Sequence, residues 1–361
     1  MSRIWQRHIL LLIVLFAIKA SPQTWKTYPY QPQGSIISFP GDEGFHFDES
    51  VEWLYINGHI TGKNTGDIYS FMLSYFYYPA YGFDGFRIFN LANETSKQFY
   101  DESLLCLYET AAEDSLHIIT EVSNLVSTHT EEWVTLTDTA GRMLPFQYHI
   151  NASSQFGSID INCNTLKRPL IIADSGFLYQ GNTGYTYYYS QTMIEISGIL
   201  NFNSVEDTVF GTGWIDHQYG SFNPNEGEEY EWFCIQLDNG MDLNIWNIFT
   251  DDNRIPDTST YRICSIYVND SSSFTTSDFS IERLKYEYTR DNMKCYSQQW
   301  KLLSDTFDID LLISTQNSGS EVDLPFRFFE GSTVVNGTVN GLQVEGKGFA
   351  ELLHSYEKPD F

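Results

Sequence analysis

Residues 231–249 read Glu-Trp-Phe-Cys-Ile-Gln-Leu-Asp-Asn-Gly-Met-Asp-Leu-Asn-Ile-Trp-Asn-Ile-Phe. Two runs rich in aromatic and aliphatic residues, each of strand length, flank the turn residues Asn239-Gly240. Asn-Gly is the strongest short-range signal for a two-residue hairpin turn, because both central positions of that turn require a positive φ. The stretch therefore predicts an antiparallel β-hairpin.

The same composition continues on both sides of this hairpin. Short segments rich in Tyr, Phe, Ile, Val and Thr alternate with Gly, Asn, Asp and Ser turns, and long helical periodicity is absent. The predicted strands are residues 52–60, 67–78, 116–122, 133–138, 193–202, 209–216, 231–237, 242–249, 261–268, 307–314 and 342–353. One up-and-down barrel rarely needs more than about 180 residues. The length therefore predicts an all-β chain of two antiparallel β-barrel domains packed together, residues 21–205 and 206–361, divided at the polar stretch Asn203–Asp207.

The net charge of the chain limits the classes of partner that it can bind. The chain of 361 residues carries 20 Lys and Arg against 47 Asp and Glu, a formal net charge of -27. Because phosphate backbones and anionic lipid surfaces are repelled by such a chain, we expect no nucleic-acid partner and no peripheral membrane binding.

The first twenty residues have the pattern of a secretory signal peptide. Arg3 and Arg7 precede an apolar run from Ile9 to Ile18, and the small residue Ala20 follows. We expect cleavage near Ala20, a secreted protein, extracellular or periplasmic, and no stable membrane insertion afterwards. An uncleaved anchor is the alternative, although the run is shorter than the roughly 20 apolar residues that span a bilayer.

The chain contains an odd number of cysteines. In an oxidising compartment at least one of the five is unpaired or intermolecular. Cys264 and Cys295 flank a Ser-rich loop and are the candidate disulfide, and the alternative is that all five are small buried residues.

Common catalytic motifs are missing. The sequence lacks the serine-hydrolase, P-loop, dinucleotide-binding and His-Glu-x-x-His patterns. Its eight His are scattered, with His46 and His59 within one short stretch. We therefore expect no metal and no cofactor.

Three blocks carry a family resemblance. They are Glu52-Trp53-Leu54-Tyr55, the block Gly211–Gly220 with the sequence Gly-Thr-Gly-Trp-Ile-Asp-His-Gln-Tyr-Gly, and the hairpin stretch Glu231–Gly240. In this order they resemble the AttH-like family, which includes the carotenoid hydratases, also called hydroxyneurosporene synthases (CrtC-like). The resemblance implies two lipocalin-like barrels with a ligand cavity near their junction. It also implies cofactor-independent chemistry on apolar molecules, either hydration of an alkene or cyclisation of a polyketide-like chain. The chain departs from the family where Leu54 replaces a usual Trp and Gln218 replaces a usual acidic residue.

The middle block supplies the candidate acid. Strand alternation places Trp214 and Asp216 on one face and Ile215 and His217 on the other. In an apolar cavity, burial would raise the pKa of Asp216, so that its protonated carboxyl could act as a general acid on an alkene. The π face of Trp214 would stabilise the resulting cation by about 0.5 to 2 kcal/mol. The alternative is structural: Asp216 binds turn amides and Trp214 fills the core.

Glu52 is the second candidate catalytic residue. Alternation places it on the face of Leu54 and Ile56, and a buried carboxylate must be paired or neutral. A salt bridge that joins the two barrels is the preferred alternative, and the same applies to Glu351.

The remaining candidates form a ligand-binding wall of aromatic and polar side chains. The predicted ligand contacts are Trp53, Tyr55, Tyr188, Tyr189, His217, Trp232 and Gln236. Together these expectations describe a secreted protein that binds an apolar isoprenoid- or polyketide-like molecule. Catalysis is favoured over a non-catalytic carrier role, and glycan binding by exposed aromatics is a third alternative. The sequence leaves the oligomeric state open.

Overall fold

The computed structural model describes residues 23–180, 184–221, 229–249, 261–323 and 327–353. The predicted signal peptide, residues 1–20, lies outside these ranges. Within them the fold is almost entirely β, with one-turn 3-10 helices at Gly41–Glu43 and Thr306–Asp308. No helix of the described residues is long and apolar enough to cross a membrane.

The first sheet has twelve strands. They are β1 (Val51–Gly62), β2 (Ile68–Ala80), β3 (Phe83–Asn93), β4 (Gln98–Ala111), β5 (His117–Ser123), β6 (Thr128–Thr137), β7 (Met143–Ser154), β8 (Gly157–Thr165), β9 (Leu170–Ile171), β10 (Phe177–Gln180), β11 (Gly184–Phe202) and β12 (Val205–Ser221).

One long strand closes this sheet. The 19-residue β11 pairs with β12 along one edge. Along its other edge, its first half pairs with β10 and β9 and its second half with β8. The β11–β8 pairing joins β1–β8, β11 and β12 into a closed ten-stranded antiparallel barrel. Apolar side chains such as Ile56, Leu73, Ile161 and Ile215 fill its interior, as a barrel of this kind requires.

The second sheet has ten strands. They are β13 (Glu229–Leu237), β14 (Asp242–Phe249), β15 (Tyr261–Asn269), β16 (Ser272–Thr276), β17 (Ser280–Tyr288), β18 (Cys295–Ser304), β19 (Ile309–Thr315), β20 (Glu321–Asp323), β21 (Arg327–Val339) and β22 (Leu342–Leu352). In the described residues this sheet is an open half-barrel with β16 and β17 at its edges. The prediction of an all-β, two-part fold is confirmed, and the second part is a curved sheet rather than a closed barrel.

The division between the two parts differs from the predicted one. Asn203 and Ser204 have positive φ values of 50° and 67° and form the turn of the β11–β12 hairpin. Because β12 then pairs with β1, it belongs to the first sheet, and the change of sheet comes after Ser221. The predicted boundary between 205 and 206 is therefore wrong: a polar cluster marks a hairpin turn as readily as a linker.

The predicted disulfide is also wrong. Cys264 lies in β15 and Cys295 in β18, and five other strands separate these two along the sheet. All five cysteines, which lie in the described ranges, are buried free thiols.

The outer face of the barrel packs against the second sheet. An apolar cluster between them contains Tyr55, Tyr188 and Trp214 from the barrel and Trp232 and Trp246 from the second sheet. Strand alternation explains the arrangement, because Ile215 points into the barrel and its neighbour Trp214 points toward the second sheet. The candidate site lies in this contact layer.

Candidate active site

A cavity of about 170 Å³ lies between the barrel and the second sheet. Its walls contain aromatic and aliphatic side chains with two carboxylic acids. They are Trp53, Tyr55, Met72, Ser74, Phe76, Phe86, Ile88, Tyr188, Asp216 and Gln218 from the barrel and Tyr230, Trp232, Trp246, Phe328, Glu351 and Leu353 from the other side. None of these described lining residues is Lys, Arg or His. Since an apolar cavity of about 150 Å³ holds a benzene-sized molecule, this one suits a ring or a chain end.

Asp216 is the buried acid of the cavity wall. Its Oδ1 accepts hydrogen bonds from Ser190 Oγ and Trp214 Nε1, both at 2.6 Å, and its Oδ2 accepts one from the Tyr188 hydroxyl at 2.5 Å. Burial raises the pKa of Asp216 to about 7, although these three donors act in the opposite direction. The carboxyl is therefore about half protonated near neutral pH.

Tyr188 is held in place by residues of the second sheet. Its hydroxyl oxygen accepts hydrogen bonds from Trp232 Nε1 at 3.0 Å and from Asn244 Nδ2 at 2.7 Å. These two bonds occupy the acceptor positions of the oxygen, so its single proton is directed to Asp216. Tyr188 is thus a positioning residue for the acid as well as part of the wall.

The structure places Trp214 beside the acid rather than in the described lining of the cavity. Its side chain is fully buried, and its indole N–H donates to Asp216. It is not among the described residues that line the cavity, so its π face does not meet a ligand there. Because a hydrogen bond along the ring plane turns the ring edge, rather than its face, toward the acid, Trp214 positions Asp216 instead of stabilising a cation.

A second acidic group lies in the opposite wall. Glu330 and Glu351 are directly opposed on β21 and β22, and Oε2 of Glu330 is buried with no hydrogen-bond partner among the described residues. The Tyr55 hydroxyl donates to Glu330 Oε1 at 2.8 Å, and the Tyr230 hydroxyl donates to Glu351. Burial raises the pKa of both carboxyls, and the nearby charge of Glu351 raises that of Glu330 further. The salt bridge predicted for Glu351 is therefore replaced by a carboxyl–carboxyl pair.

Glu52 and His217 lie on the opposite face of their strands. His217 Nε2 is 2.6 Å and His46 Nδ1 3.1 Å from Glu52 Oε1. Burial opposes ionisation of Glu52, but the hydrogen bonds to the two imidazoles hold its pKa below the usual range. Alternation turns both residues away from this cavity, so neither is among its described lining residues. The ion pair that was the alternative for Glu52 exists, but it joins residues of the part of the chain that contains the barrel. It does not join the two sheets.

These three residues also bear on the metal prediction. The imidazole and carboxylate ligand atoms of His46, Glu52 and His217 all lie within 4.8 Å of one another, a donor set that a transition metal accepts. Proximity in sequence suggested His59 as the neighbour of His46, whereas the fold brings His217 there. In the structure these atoms are engaged in the His–Glu–His hydrogen bonds.

Two further predicted contacts lie elsewhere. The Tyr189 hydroxyl hydrogen-bonds His217 Nδ1 at 3.0 Å, on the Glu52 side of the sheet. Gln236 Nε2 donates to the carbonyl oxygens of Thr192 at 2.6 Å and Gly213 at 2.9 Å. Gln236 therefore fastens the second sheet to the barrel, and neither residue is among the described lining of the cavity.

Five residues of the predicted set line the same cavity: Trp53, Tyr55, Tyr188, Asp216 and Trp232. Sequence reasoning missed several aromatic lining residues, namely Phe76, Phe86, Tyr230, Trp246 and Phe328. Alternation could have found Tyr230, two residues before Trp232 on the same strand face. The others depend on strand register, since Phe76 and Phe86 meet as cross-strand partners.

Comparison with known protein families assigns the chain to one of them. The sequence profile described as AttH-like matches residues 30–356, nearly the whole chain. The chain belongs to the AttH-like family. No curated protein is significantly similar to this AttH-like chain by sequence.

Solved structures share the fold. A crystal structure described as an AttH protein of Nitrosomonas europaea is 18% identical, with a TM-score of 0.73 over 90% of the AttH-like chain and 98% of its own. Kievitone hydratase from Nectria haematococca is 15% identical, with a TM-score of 0.68 over 91% of the AttH-like chain and 98% of its own. CghA with Sch210972 is 9% identical, with a TM-score of 0.52 over 84% and 89% of the two chains. At these identities the likeness establishes the fold alone.

Proposed function

We propose that this AttH-like protein binds a neutral, apolar, unsaturated molecule between its two sheets and that Asp216 protonates a double bond of that molecule. The observation that carries the proposal is a carboxyl with a pKa of about 7 in an aromatic wall that has no cationic side chain among its described residues. A general acid works best when its pKa is near the working pH.

The hydrogen bonds select the reacting oxygen. Asp216 Oδ1 accepts two hydrogen bonds and Oδ2 accepts one, so Oδ2 retains the position that can carry the transferable proton. Trp232 and Tyr55, whose ring centroids are 5.5 Å apart, both line the cavity. These aromatic rings are the candidates for the cation stabilisation, about 0.5 to 2 kcal/mol, that the sequence had suggested for Trp214.

The wall also defines the class of substrate. Two lining carboxyls, Asp216 and Glu351, and the cross-strand partner of Glu351, Glu330, disfavour an anion. An isoprenoid- or polyketide-like chain end fits the apolar lining, and the kievitone hydratase relative is named for a hydration. For this chain we propose acid-assisted hydration or cyclisation of such a molecule.

The test compares Asp216→Asn with wild-type protein. Turnover is measured with kievitone, the compound named in one structural relative, and with squalene and lycopene as neutral isoprenoid alkenes. We expect Asp216→Asn to lower turnover at least about 100-fold, because it removes a general acid but keeps the side-chain shape. Binding of Nile red, a neutral apolar dye, should persist.

The matched control is Glu43→Gln. Glu43 is a buried carboxyl that accepts hydrogen bonds from Tyr28 and Tyr148, outside the described cavity lining. Full turnover by Asp216→Asn would overturn the role of the acid. Wild-type protein that retains a co-purified apolar molecule without converting any alkene would support the carrier alternative.

We also propose that the protein acts outside the cytoplasm after removal of residues 1–20. The support is the charge and hydropathy pattern of that segment. Mass spectrometry of protein recovered from the culture medium or periplasm should show a mature N-terminus near Ser21. Recovery of the full-length chain in the cytoplasm alone would contradict the proposal.

A further inference from the structure

The Glu330–Glu351 pair lies where a second proton-transfer group is needed. Glu351 lines the same cavity as Asp216, and its strand partner in β13 is Trp232, another lining residue. Each of the two carboxyls already accepts a hydrogen bond from a tyrosine hydroxyl. Tyr55 donates to Glu330, and Tyr230 donates to Glu351. Oε2 of Glu330 is buried without a donor among the described residues, so a hydrogen bond between the two carboxyls requires a proton on one of them.

One shared proton follows from these contacts. Two ionised carboxylates that face each other across neighbouring strands repel strongly in a buried site, so such a pair retains a proton near neutral pH. Glu330 is fully buried and lies outside the described cavity lining, so it is the partner that keeps the proton. Glu351 is half-buried and lines the cavity, so it is the ionised partner. The pair then has one negative charge, carried on the carboxyl that faces the cavity.

We propose that Glu351, supported by Glu330, is the base that receives a proton from an attacking water molecule, so that the cavity hydrates its ligand. This inference rests on the proposed acid role of Asp216 and adds the second catalytic residue and the co-reactant. The π bond of the alkene breaks as Asp216 forms the new C–H bond, and the neighbouring carbon becomes cationic. Water forms the C–O bond and gives its extra proton to Glu351. Transfer of that proton from Glu351 to Asp216 restores both groups, and the sum is alkene plus water giving alcohol.

The two sites also influence each other electrostatically. The negative charge of Glu351 raises the pKa of Asp216, so an ionised base keeps the acid protonated. The titratable groups that face the pair are Tyr55 on β1, Asp216 on β12, and Tyr230 and Cys234 on β13. No cation is among them, so neutralising Glu351 should make Asp216 a stronger acid.

The first experiment needs no substrate. Infrared pH titration of the protein alone, with Glu330→Gln, Glu351→Gln and Glu43→Gln, follows the protonated-carboxyl band. We expect the wild type to lose one proton from the pair only well above the usual carboxyl range, and either cavity variant to remove that shared-proton signal, whereas Glu43→Gln retains it. A pair that is fully ionised, or fully protonated, at neutral pH would overturn the proposal.

The second experiment measures turnover in ¹⁸O-labelled water with the alkene that the wild type converts. We expect ¹⁸O in the product, and a decrease of about 100-fold for Glu351→Gln. We also expect the alkaline limb of the pH–rate profile to move to lower pH, which a purely structural role would not cause. Tyr230→Phe, which keeps both carboxyls, should shift the same profile if Glu351→Gln fails to fold.

The outcomes separate the two proposals. Full turnover by Asp216→Asn would reject both the acid role of Asp216 and the base role of Glu351. An inactive Asp216→Asn beside a fully active Glu351→Gln, or a product without ¹⁸O, leaves the acid in place and rejects the base.

Discussion

Asp216 and His217 are neighbours in the chain but lie in different chemical surroundings. Asp216 accepts hydrogen bonds from neutral donors, and burial raises its pKa to about 7. His217 turns to the other face and binds Glu52, whose pKa is lowered because two imidazoles are its partners. At the residue scale, the hydrogen-bond partners of a buried carboxyl, neutral donors or imidazoles, therefore decide whether it keeps its proton.

Tyr188→Phe tests this dependence. The change removes the hydroxyl that lowers the pKa of Asp216, so the alkaline limit of activity should move to higher pH. It also leaves Trp232 Nε1 and Asn244 Nδ2 without their shared acceptor, which should lower the free energy of unfolding by about 1 to 3 kcal/mol. The measurements are a pH–rate profile and urea unfolding. Tyr187→Phe, on the opposite strand face, is the control, and an unmoved alkaline limb would count against the role of Tyr188.

At the scale of the element, turn chemistry gave the most accurate predictions. The hairpin expected at 231–237 and 242–249 is observed as Glu229–Leu237 and Asp242–Phe249. Gly240 has a φ of 88°, but Asn239 is not among the residues with a positive φ, so the turn is not the expected two-residue type. Strands with charged outer faces were missed. For example, β4 contains Asp101, Glu102 and Glu109 and buries few of its side chains, so its composition resembles that of a loop.

The face of β12 that meets the ligand could not be predicted from sequence. Alternation distinguishes two faces only when one of them is exposed, and the four residues Trp214–His217 are all buried. The same limit applies to Glu330 and Glu351, whose pairing depends on the register between β21 and β22. Asp216 could be found because the block around it resembles a known family. The Glu330–Glu351 pair could be recognised only from the tertiary fold.

For the whole molecule, the buried acids predict an unusual pH dependence of stability. Burial raises the pKa of Glu43 and Asp216 to about 7 and of Asp242 to about 6, so the folded state holds these protons more tightly than the unfolded chain. Their stabilisation is complete below the ordinary carboxyl pKa and is lost as the pH rises toward 7. Burial lowers the pKa of His46, but its partners Asp42 and Glu52 raise it to about 9. The stabilisation of the fold by protonated His46 is therefore lost between about pH 6.5 and pH 9.

We therefore expect the thermal midpoint to be higher at pH 5 than at pH 8.5. The net charge of -27 acts in the same direction, because self-repulsion falls as carboxylates take up protons. Thermal unfolding followed by circular dichroism across this range is the measurement. Glu43→Gln combined with Asp216→Asn should flatten the curve, and a midpoint that rises steadily from pH 5 to 8.5 would contradict the expectation.

The position of the cavity outside the barrel has a consequence for divergence. Inward side chains of the barrel strands determine its packing, and outward side chains of the same strands form the ligand wall. A lineage can therefore exchange ligands by substitutions on one face while the other face preserves the scaffold. Solved relatives that share only 9% to 18% of their residues with this chain still align over 84% to 91% of it. Such an architecture allows the cavity lining and the packed interior to change at different rates within a single strand.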